Sequence, residues 1–275
     1  MHFSALDLSA PALPLHLPGA HQGAASVQSL EQRSFNAWPA PRTAVVGDWL
    51  LRSTLGYTKR ANSANALQAG AALDAAWLQS IEDWYARQGQ ACIFRLSPLA
   101  QADADALLQA RGYQRIEPSL FLQRATQKAD ALWRPQDGVQ VVVEAAPSPD
   151  WLAGNCAANG LEASPQHAHG LIVSAIPLPC AFVSLVQNGR ICAWGMAVLE
   201  RGAVGLYDVV VAPRWRGRGL GRQLLQALLQ WAASQGASAV DLQVRGGNVP
   251  AQALYAALGF GVVYGYPYRV MPRMP

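Results

Sequence analysis

The sequence is poor in charge, in lysine and in long apolar runs. Charged residues make up 14% of its 275 residues, and only Lys59 and Lys128 are lysines. A net charge of +4 at this density does not produce the dense basic face that is typical of nucleic-acid-binding proteins. No apolar run approaches the length that spans a bilayer, and no basic patch precedes an apolar stretch at the start. We therefore predict no nucleic-acid partner, no membrane partner and no secretory leader.

The four cysteines lack the short paired spacing of metal sites and disulfide frameworks. They predict buried free thiols in a reducing compartment, a cytoplasmic protein and no metal site. Hydrophobic residues make up 51% of the chain, which indicates well-buried cores in one large domain or two ordinary ones.

The most informative segment runs from residue 209 to residue 222. An apolar strand breaks at Pro213, a loop rich in glycine and arginine follows, and apolar residues then recur at helical spacing. A strand, a glycine loop and a helix in this order present free backbone N–H groups to an anion at the positive end of the helix dipole. The residues expected to hold a pyrophosphate are Arg216, Gly217, Arg218, Gly219, Leu220, Gly221 and Arg222.

Two other phosphate motifs fit this segment less well. A nucleotide P-loop needs Lys and then Ser or Thr after its last glycine, but Arg222 and Gln223 follow Gly221. A dinucleotide fingerprint needs a third glycine where Arg222 stands. Asp241 has the right distance for a ribose contact, yet it falls inside an apolar strand instead of at its end.

The loop Arg216-x-x-Gly219-x-Gly221 resembles the R/Q-x-x-G-x-G/A signature of the GNAT superfamily of N-acetyltransferases. A second segment resembles the next signature of that family, in matching order and spacing: Asn248, Ala251, Leu254 and Tyr255, followed by Leu258-Gly259-Phe260. The resemblance implies an α+β (mixed α/β) fold, in which a mixed, mostly antiparallel central sheet is flanked by helices. It also implies acetyl-CoA (coenzyme A) as the cofactor.

The resemblance assigns roles to individual residues. In such folds the strand carrying Val209, Val210 and Val211 splays from its neighbour, and its unpaired backbone groups bond the pantetheine arm. Asn248 is expected to cap a helix and to contact the cofactor. Tyr255 is expected to contact the cofactor sulfur and to protonate the leaving thiolate.

The general base is less well defined. An amine that titrates near 10 costs about 4 kcal/mol to deprotonate at pH 7, so a carboxylate or an ordered water is expected to take the proton. Asp208 is the candidate for the base or for a contact to the acceptor. It lies in the strand next to Val209, where an acid is costly unless it is functional or paired. A structural hydrogen bond is its alternative role. His167 and His169 could line the acceptor pocket, although surface histidines are the simpler interpretation. The polar segment Lys59-Arg60-Ala61-Asn62-Ser63 could bind an acceptor or an anion, although a structural loop is the simpler interpretation.

Residues 84–113 match residues 231–260 at a constant offset of 147, with Trp84 on Trp231 and Gly112-Tyr113 on Gly259-Phe260. At this offset residues 69–74 correspond to residues 216–221, but they lack the arginines. Asp74 lies at the last of these positions, where its charge would repel a phosphate. The predicted organisation, similar to bacterial tandem GNAT proteins, has four parts. They are an irregular segment (1–27), a degenerate GNAT-like domain without a cofactor site (28–126), a linker (127–137) and a catalytic GNAT domain (138–275). Within the last, Asn188-Gly189 and Arg201-Gly202 predict the turns of an antiparallel meander.

We therefore predict an acetyl-CoA-dependent N-acetyltransferase that transfers an acetyl group to a primary amine by direct attack. The acceptor is a small-molecule amine or a protein or peptide amine, and the protein is a monomer or a homodimer. The alternative is a non-catalytic acyl-CoA-binding regulatory module.

Overall fold

The computed structural model describes residues 24–272, which contain eight α-helices and eleven β-strands. Of the predicted irregular segment, residues 1–23 lie outside the described residues, and residues 24–27 already belong to the first helix. Within the described range no helix combines the length and the apolar character needed to cross a bilayer.

The first half of the chain supplies three helices and five strands. They are α1 (Ala24–Ala37), β1 (Arg42–Val46), β2 (Trp49–Ser53), β3 (Ala64–Ala66), α2 (Ala75–Ala86), β4 (Ile93–Arg95), α3 (Ala104–Ala110) and β5 (Gln114–Ala125). A 3-10 turn at Lys59–Ala61 precedes β3.

The second half supplies five helices and six strands. They are α4 (Lys128–Leu132), β6 (Val139–Glu144), α5 (Pro149–Ala158), α6 (Ala163–Ser174), β7 (Cys180–Gln187), β8 (Arg190–Glu200), β9 (Ala203–Val211), α7 (Leu220–Ser234), β10 (Ala239–Arg245), α8 (Val249–Ala256) and β11 (Gly261–Val270).

All eleven strands form one sheet, in the order β1-β2-β3-β4-β11-β5-β10-β9-β8-β7-β6. Only the β3–β4 and β9–β10 pairs are parallel. The predicted fold class, a mixed and mostly antiparallel sheet flanked by helices, is confirmed. The sequence did not indicate that the two halves share a continuous sheet.

The halves are joined by an exchange of strands. Strand β5, from the first half, lies between β10 and β11 and is antiparallel to both. Strand β11, from the second half, lies between β5 and β4. Ser119 pairs with Tyr266, and Tyr266 is also the residue that corresponds to Ser119 at the offset of 147. The two copies are therefore related by an approximate two-fold axis close to this pair, and each half needs a strand from the other.

Helix α7 forms because its apolar residues recur with helical period and lie buried on one face. Leu224, Leu225, Leu228 and Leu229 pack against β7, β8 and β9 in the core of the second half. Burial of each such side chain contributes about 1.5–3 kcal/mol. The rigid contact fixes the start of α7 relative to the end of β9.

Helix α1 connects the cores of the two halves. Its Val27 and Leu30 pack in the core of the first half. Trp38, directly after the helix, packs with Trp151 and Tyr207 in a core on the face of the sheet opposite α7. First-half residues therefore lie directly against β9, the strand predicted to bind the cofactor.

Residues predicted to form a linker contain α4, which packs on α7. Asp130 accepts a hydrogen bond from the N–H of Gln127 and pairs with the buried Arg124. Gln230 of α7 donates to the carbonyl of Trp133 at 2.8 Å. The connection between the halves is thus bonded to β5 of the first half through Asp130 and to α7 of the second half through the Trp133 carbonyl.

Candidate active site

The Gly-Arg loop (residues 213–221) runs from the end of β9 into the first turn of α7. Gly217 and Gly219 have φ angles of +73° and +76°, a left-handed conformation that strains any residue with a Cβ. Gly221 has a different reason: a Cβ there would lie 3.4 Å from Cδ2 of Leu254 on α8. Two of the glycines thus allow a left-handed backbone, and the third allows α7 and α8 to approach each other closely.

The start of α7 presents a row of unbonded N–H groups. The first N–H bonded into the helix is that of Arg222, which donates to the Gly219 carbonyl at 3.1 Å. Among the described residues, no acceptor faces the five N–H groups of residues 217–221. With the helix dipole behind them, these groups have the arrangement that helix N-termini offer to phosphates.

Four arginines surround this site and remain solvent-exposed: Arg214, Arg216, Arg218 and Arg222. In the described part of the chain none of them forms an ion pair with an acid. Nε of Arg216 donates to the Val211 carbonyl at 3.1 Å, which draws the loop against the end of β9. The Arg218 guanidinium lies 5.0 Å from the centre of the Trp215 ring. The positive charge of this loop is therefore available to an anionic ligand.

Strands β9 and β10 separate as the sequence predicted. They pair only from residues 203 to 206 and 239 to 242. Beyond Leu206, β9 keeps its pairing with β8, where Val210 lies opposite Trp194 and Val211 opposite Ala193. The edge of residues 207–211 that faces β10 consequently has no strand partner, and it lies beside the N-terminus of α7.

A β-bulge marks the point of separation. Asp208 has a φ angle of +52°, and the register with β8 shifts between Met196–Tyr207 and Trp194–Val210. The extra residue turns both Tyr207 and Asp208 away from α7, whereas Val209 faces the α7 core. The side-chain amide of Asn155 donates to the Asp208 carbonyl at 3.0 Å and holds the bulge.

The Asp208 carboxylate is bonded to a buried histidine. Oδ2 of Asp208 lies 2.7 Å from Nε2 of His169, whose side chain is fully buried. The other ring nitrogen of His169 lies 3.4 Å from Sγ of Cys156. The interpretation of both histidines as surface residues is wrong for His169, because α6 directs it into the protein; His167 is exposed. The other carboxylate oxygen of Asp208 has no partner in the described chain.

Tyr255 lies on α8, which approaches the start of α7 through Leu254, and Asn248 is the N-cap of α8. Tyr255 is 9% exposed, and its ring contacts Phe260 edge to face. Burial raises the pKa of Tyr255, and nearby Arg60 lowers it by a smaller amount. No partner for its hydroxyl occurs within residues 24–272. Asn248 caps α8 as predicted, since its side chain accepts a hydrogen bond from the Ala251 N–H at 3.3 Å.

The corresponding helix of the first half already holds an acid at its N-terminus. Asp74 is the N-cap of α2, and its carboxylate accepts a hydrogen bond from the Trp77 N–H at 2.7 Å. The N-terminus of α2 thus already has a negative charge from the protein, whereas the N-terminus of α7 has none from the described residues. This difference supports the expectation that the first half lacks a cofactor site.

The first half adds residues to the site, among them Arg60 from the polar segment 59–63, for which the sequence left open an acceptor or anion site and a structural loop. The Arg60 guanidinium lies 5.1 Å from the Trp38 ring and 5.8 Å from the Tyr207 ring of β9. Tyr57 contacts His169 edge to face. Asn62 fixes the intervening turn by accepting from the N–H of Thr54 and donating to the Tyr57 carbonyl, both at 2.6 Å. Within residues 24–272 no group of His, Cys, Asp and Glu side chains could hold a metal ion.

The separated parallel strands, the bulge and the glycine loop together define an N-acetyltransferase of the GNAT type. Over residues 24–269 the sequence matches the family described as "Probable histone acetyltransferase Rv0428c C-terminal", and the chain belongs to that family.

Relatives agree with this assignment. The "Uncharacterized N-acetyltransferase YobR" of Bacillus subtilis (strain 168) is 26% identical over 249 residues, which cover 89% of this chain and 98% of that protein. The ribosomal protein bS18-alanine N-acetyltransferase of Escherichia coli (strain K12) is 36% identical over 76 residues, 28% of this chain and 51% of that enzyme.

Solved structures show the same fold. The GCN5-related N-acetyltransferase from Kribbella flavida has a TM-score of 0.69 and 18% identity, covering 93% of this chain and 98% of that one. A tandem GNAT protein from the clavulanic acid biosynthesis pathway has a TM-score of 0.62 and 16% identity, covering 90% of this chain and 89% of that one.

Proposed function

We propose that the protein transfers the acetyl group of acetyl-CoA to a primary amine by direct attack, at a site built from β9, α7 and α8. The observation that carries the proposal is the row of unbonded N–H groups at residues 217–221, beside the unpaired edge of β9. The N–H groups fit a pyrophosphate, and the strand edge fits an amide-containing arm that needs backbone partners. We assign the arginines around the loop to the same phosphates.

Acetyl-CoA supplies an acyl group already activated as a thioester. The unpaired backbone of Val209–Val211 would orient it and stabilise negative charge on its carbonyl oxygen. Asn248 is proposed as a further contact at the start of α8. Because the active groups come from β9, α7 and α8, the catalytic half carries the chemistry, and the first half covers its other face.

Tyr255 is proposed to donate a hydrogen bond to the departing sulfur. Burial keeps its phenol neutral, and the hydroxyl has no competing partner among the described residues. A thiol titrates near 8.5 and a phenol near 10, so complete proton transfer to a free thiolate is unfavourable by about 2 kcal/mol. Stabilisation of the developing charge by the hydrogen bond is therefore the physically favoured form of this role.

Asp208 is proposed as the group that receives the amine proton. Its pairing with His169 orients the carboxylate, and the second oxygen is left for the acceptor. Asp208→Asn should lower kcat/KM about tenfold at pH 7, with a smaller loss near pH 10, because the amine then loses its proton unaided. Rates from pH 6 to 10 provide the measurement. A loss that stays constant across this range would identify a purely structural role.

The proposed cofactor site is tested by adding a side chain at Gly219. Gly219→Val should raise the Kd for acetyl-CoA at least about tenfold, because a β-branched residue resists the left-handed conformation and crowds the N–H groups. Isothermal titration calorimetry provides the measurement. Gly70→Val is the matched control: Gly70 has a φ angle of +74° and equally open surroundings in the first half. Equal affinities of the two variants would remove the proposal.

The acceptor class follows less directly. The relative from Escherichia coli is named for an alanine of ribosomal protein bS18, and it matches 28% of this chain. We retain a small-molecule amine and a protein or peptide amine as acceptor classes, with the protein acting as a monomer or a homodimer. The four free cysteines, three of them buried, support the proposed cytoplasmic location.

A further inference from the structure

An open cleft lies where the first half meets the separated end of β10. Its volume is about 320 Å³, which suits a small molecule of amino-acid size. Arg60, Arg245, Ser119, Tyr266 and Tyr268 are among the residues that line it, and none of the described lining residues is acidic. We call this the acceptor cleft.

The acceptor cleft adjoins the proposed reaction centre from the side opposite α7. Val244 and Arg245 belong to the part of β10 beyond Leu242, where β9 has already separated. Arg60 lies over Tyr207 of β9, next to the bulge. It is also close enough to Tyr255 to lower the pKa of that phenol, against the effect of burial. An acceptor in the cleft would therefore approach the strand gap from one face while the cofactor occupies the other.

Arg60 is fixed in position but has no counter-ion in the described chain. Its side chain is half-buried and lies against the rings of Trp38 and Tyr207. Its backbone is also held, because Nη1 of Arg52 donates to the Arg60 carbonyl at 2.6 Å. By contrast, the neighbouring Arg95 is paired with Glu31. A planar, partly desolvated guanidinium held in this way is preorganised for a carboxylate.

The surroundings add to this preference. The Arg52 guanidinium is buried and, among the described residues, donates hydrogen bonds only to main-chain carbonyls. Burial and the charge of Arg95 lower the pKa of Arg52 to about 10, which leaves it cationic at neutral pH. Arg245, at the rim of the cleft, forms no ion pair with a described residue. The local field therefore favours an anion beside Arg60.

Resting on the function proposed above, we infer that the acceptor is a small primary amine that carries a carboxylate, and that Arg60 binds this carboxylate. The degenerate half of the chain thus contributes a specificity-determining residue to the site of the other half. A peptide with an acidic residue also carries an amine and a carboxylate, and the test below distinguishes it from a small acceptor.

The test compares free amino acids with their carboxamides as acceptors, under saturating acetyl-CoA. For the wild type we expect kcat/KM to be at least about tenfold higher with the carboxylate, the range of one charge-assisted bidentate contact. Arg60→Gln should reduce this preference by lowering the carboxylate rate about 10- to 100-fold, at least about tenfold more than it lowers the carboxamide rate. Arg60→Lys should restore part of it. Arg87→Gln, at an exposed position beyond α2, is the control. Melting temperatures verify that each variant is folded.

The outcomes separate the inference from the proposed function. Equal losses on both acceptors, no carboxylate preference in the wild type, or no turnover of any free amino acid would overturn the inference. A higher KM for acetyl-CoA in Arg60→Gln would reassign Arg60 to the cofactor. Turnover restricted to peptides with an acidic residue would replace the small acceptor by a peptide. A protein that binds no acetyl-CoA at all would instead overturn the proposed function.

Discussion

Replacing Tyr255 with Phe is expected to lower kcat about a hundredfold and to leave the affinity for acetyl-CoA within about twofold. The phenyl ring keeps the edge-to-face contact with Phe260, so packing on α8 is preserved. What is lost is the hydroxyl, which has no other partner in the described chain. The thiolate would then have to leave without a hydrogen-bond donor, which affects the chemical step and not binding.

Single-turnover rates and calorimetric affinities measure the two quantities separately. Tyr113→Phe is the matched control, since it removes a buried hydroxyl that donates to Glu82 in the first half, away from β9. A kcat for Tyr255→Phe within threefold of the wild type would exclude the proposed role of the hydroxyl.

The second large effect concerns stability. Glu31→Gln is expected to lower the free energy of unfolding by about 3–5 kcal/mol, because it leaves the Arg95 guanidinium buried and unpaired. Both side chains are almost fully buried, at 1% and 2% exposure. The Tyr264 hydroxyl also donates to Glu31, so the carboxylate connects α1, β4 and β11. The variant would therefore weaken the contact between the halves as well as the first half itself.

Urea unfolding monitored by tryptophan fluorescence provides the measurement. Glu82→Gln serves as the comparison, because its partner Arg111 is 49% exposed and such surface pairs contribute less than about 1 kcal/mol. Similar losses in the two variants would contradict a special contribution from the buried pair.

Local signals explain what the sequence predicted correctly. The turns at Asn188-Gly189 and Arg201-Gly202 all have positive φ angles, as hairpin turns of this kind require. The conformation of the glycines before α7 and the cap at Asn248 likewise depend on a few neighbouring residues. Such features are readable because the residue type and the backbone angle are directly linked.

Other features depend on contacts between distant residues, and the sequence did not reveal them. The bulge at Asp208 has no local marker, since a β-branched run follows an acid in many ordinary strands. His169 is buried only because α6 packs beside that bulge. Arg60 reaches β9 because α1 and the turn at Asn62 place it there. The pairing of β5 with β11 joins residues that are more than a hundred positions apart, and the repeat that relates them does not indicate that the two strands pair with each other.

The exchange of β5 and β11 makes the sheet of each half depend on a strand from the other half. A fragment beginning after residue 126 would expose the edges of β10 and β11 that β5 now occupies, and such open edges promote aggregation. Changes in the loop at residues 69–74 leave these strand pairings intact, whereas deletion of β5 would remove both of them. Main-chain hydrogen bonding thus makes the first half necessary for the sheet of the second half, independently of any ligand.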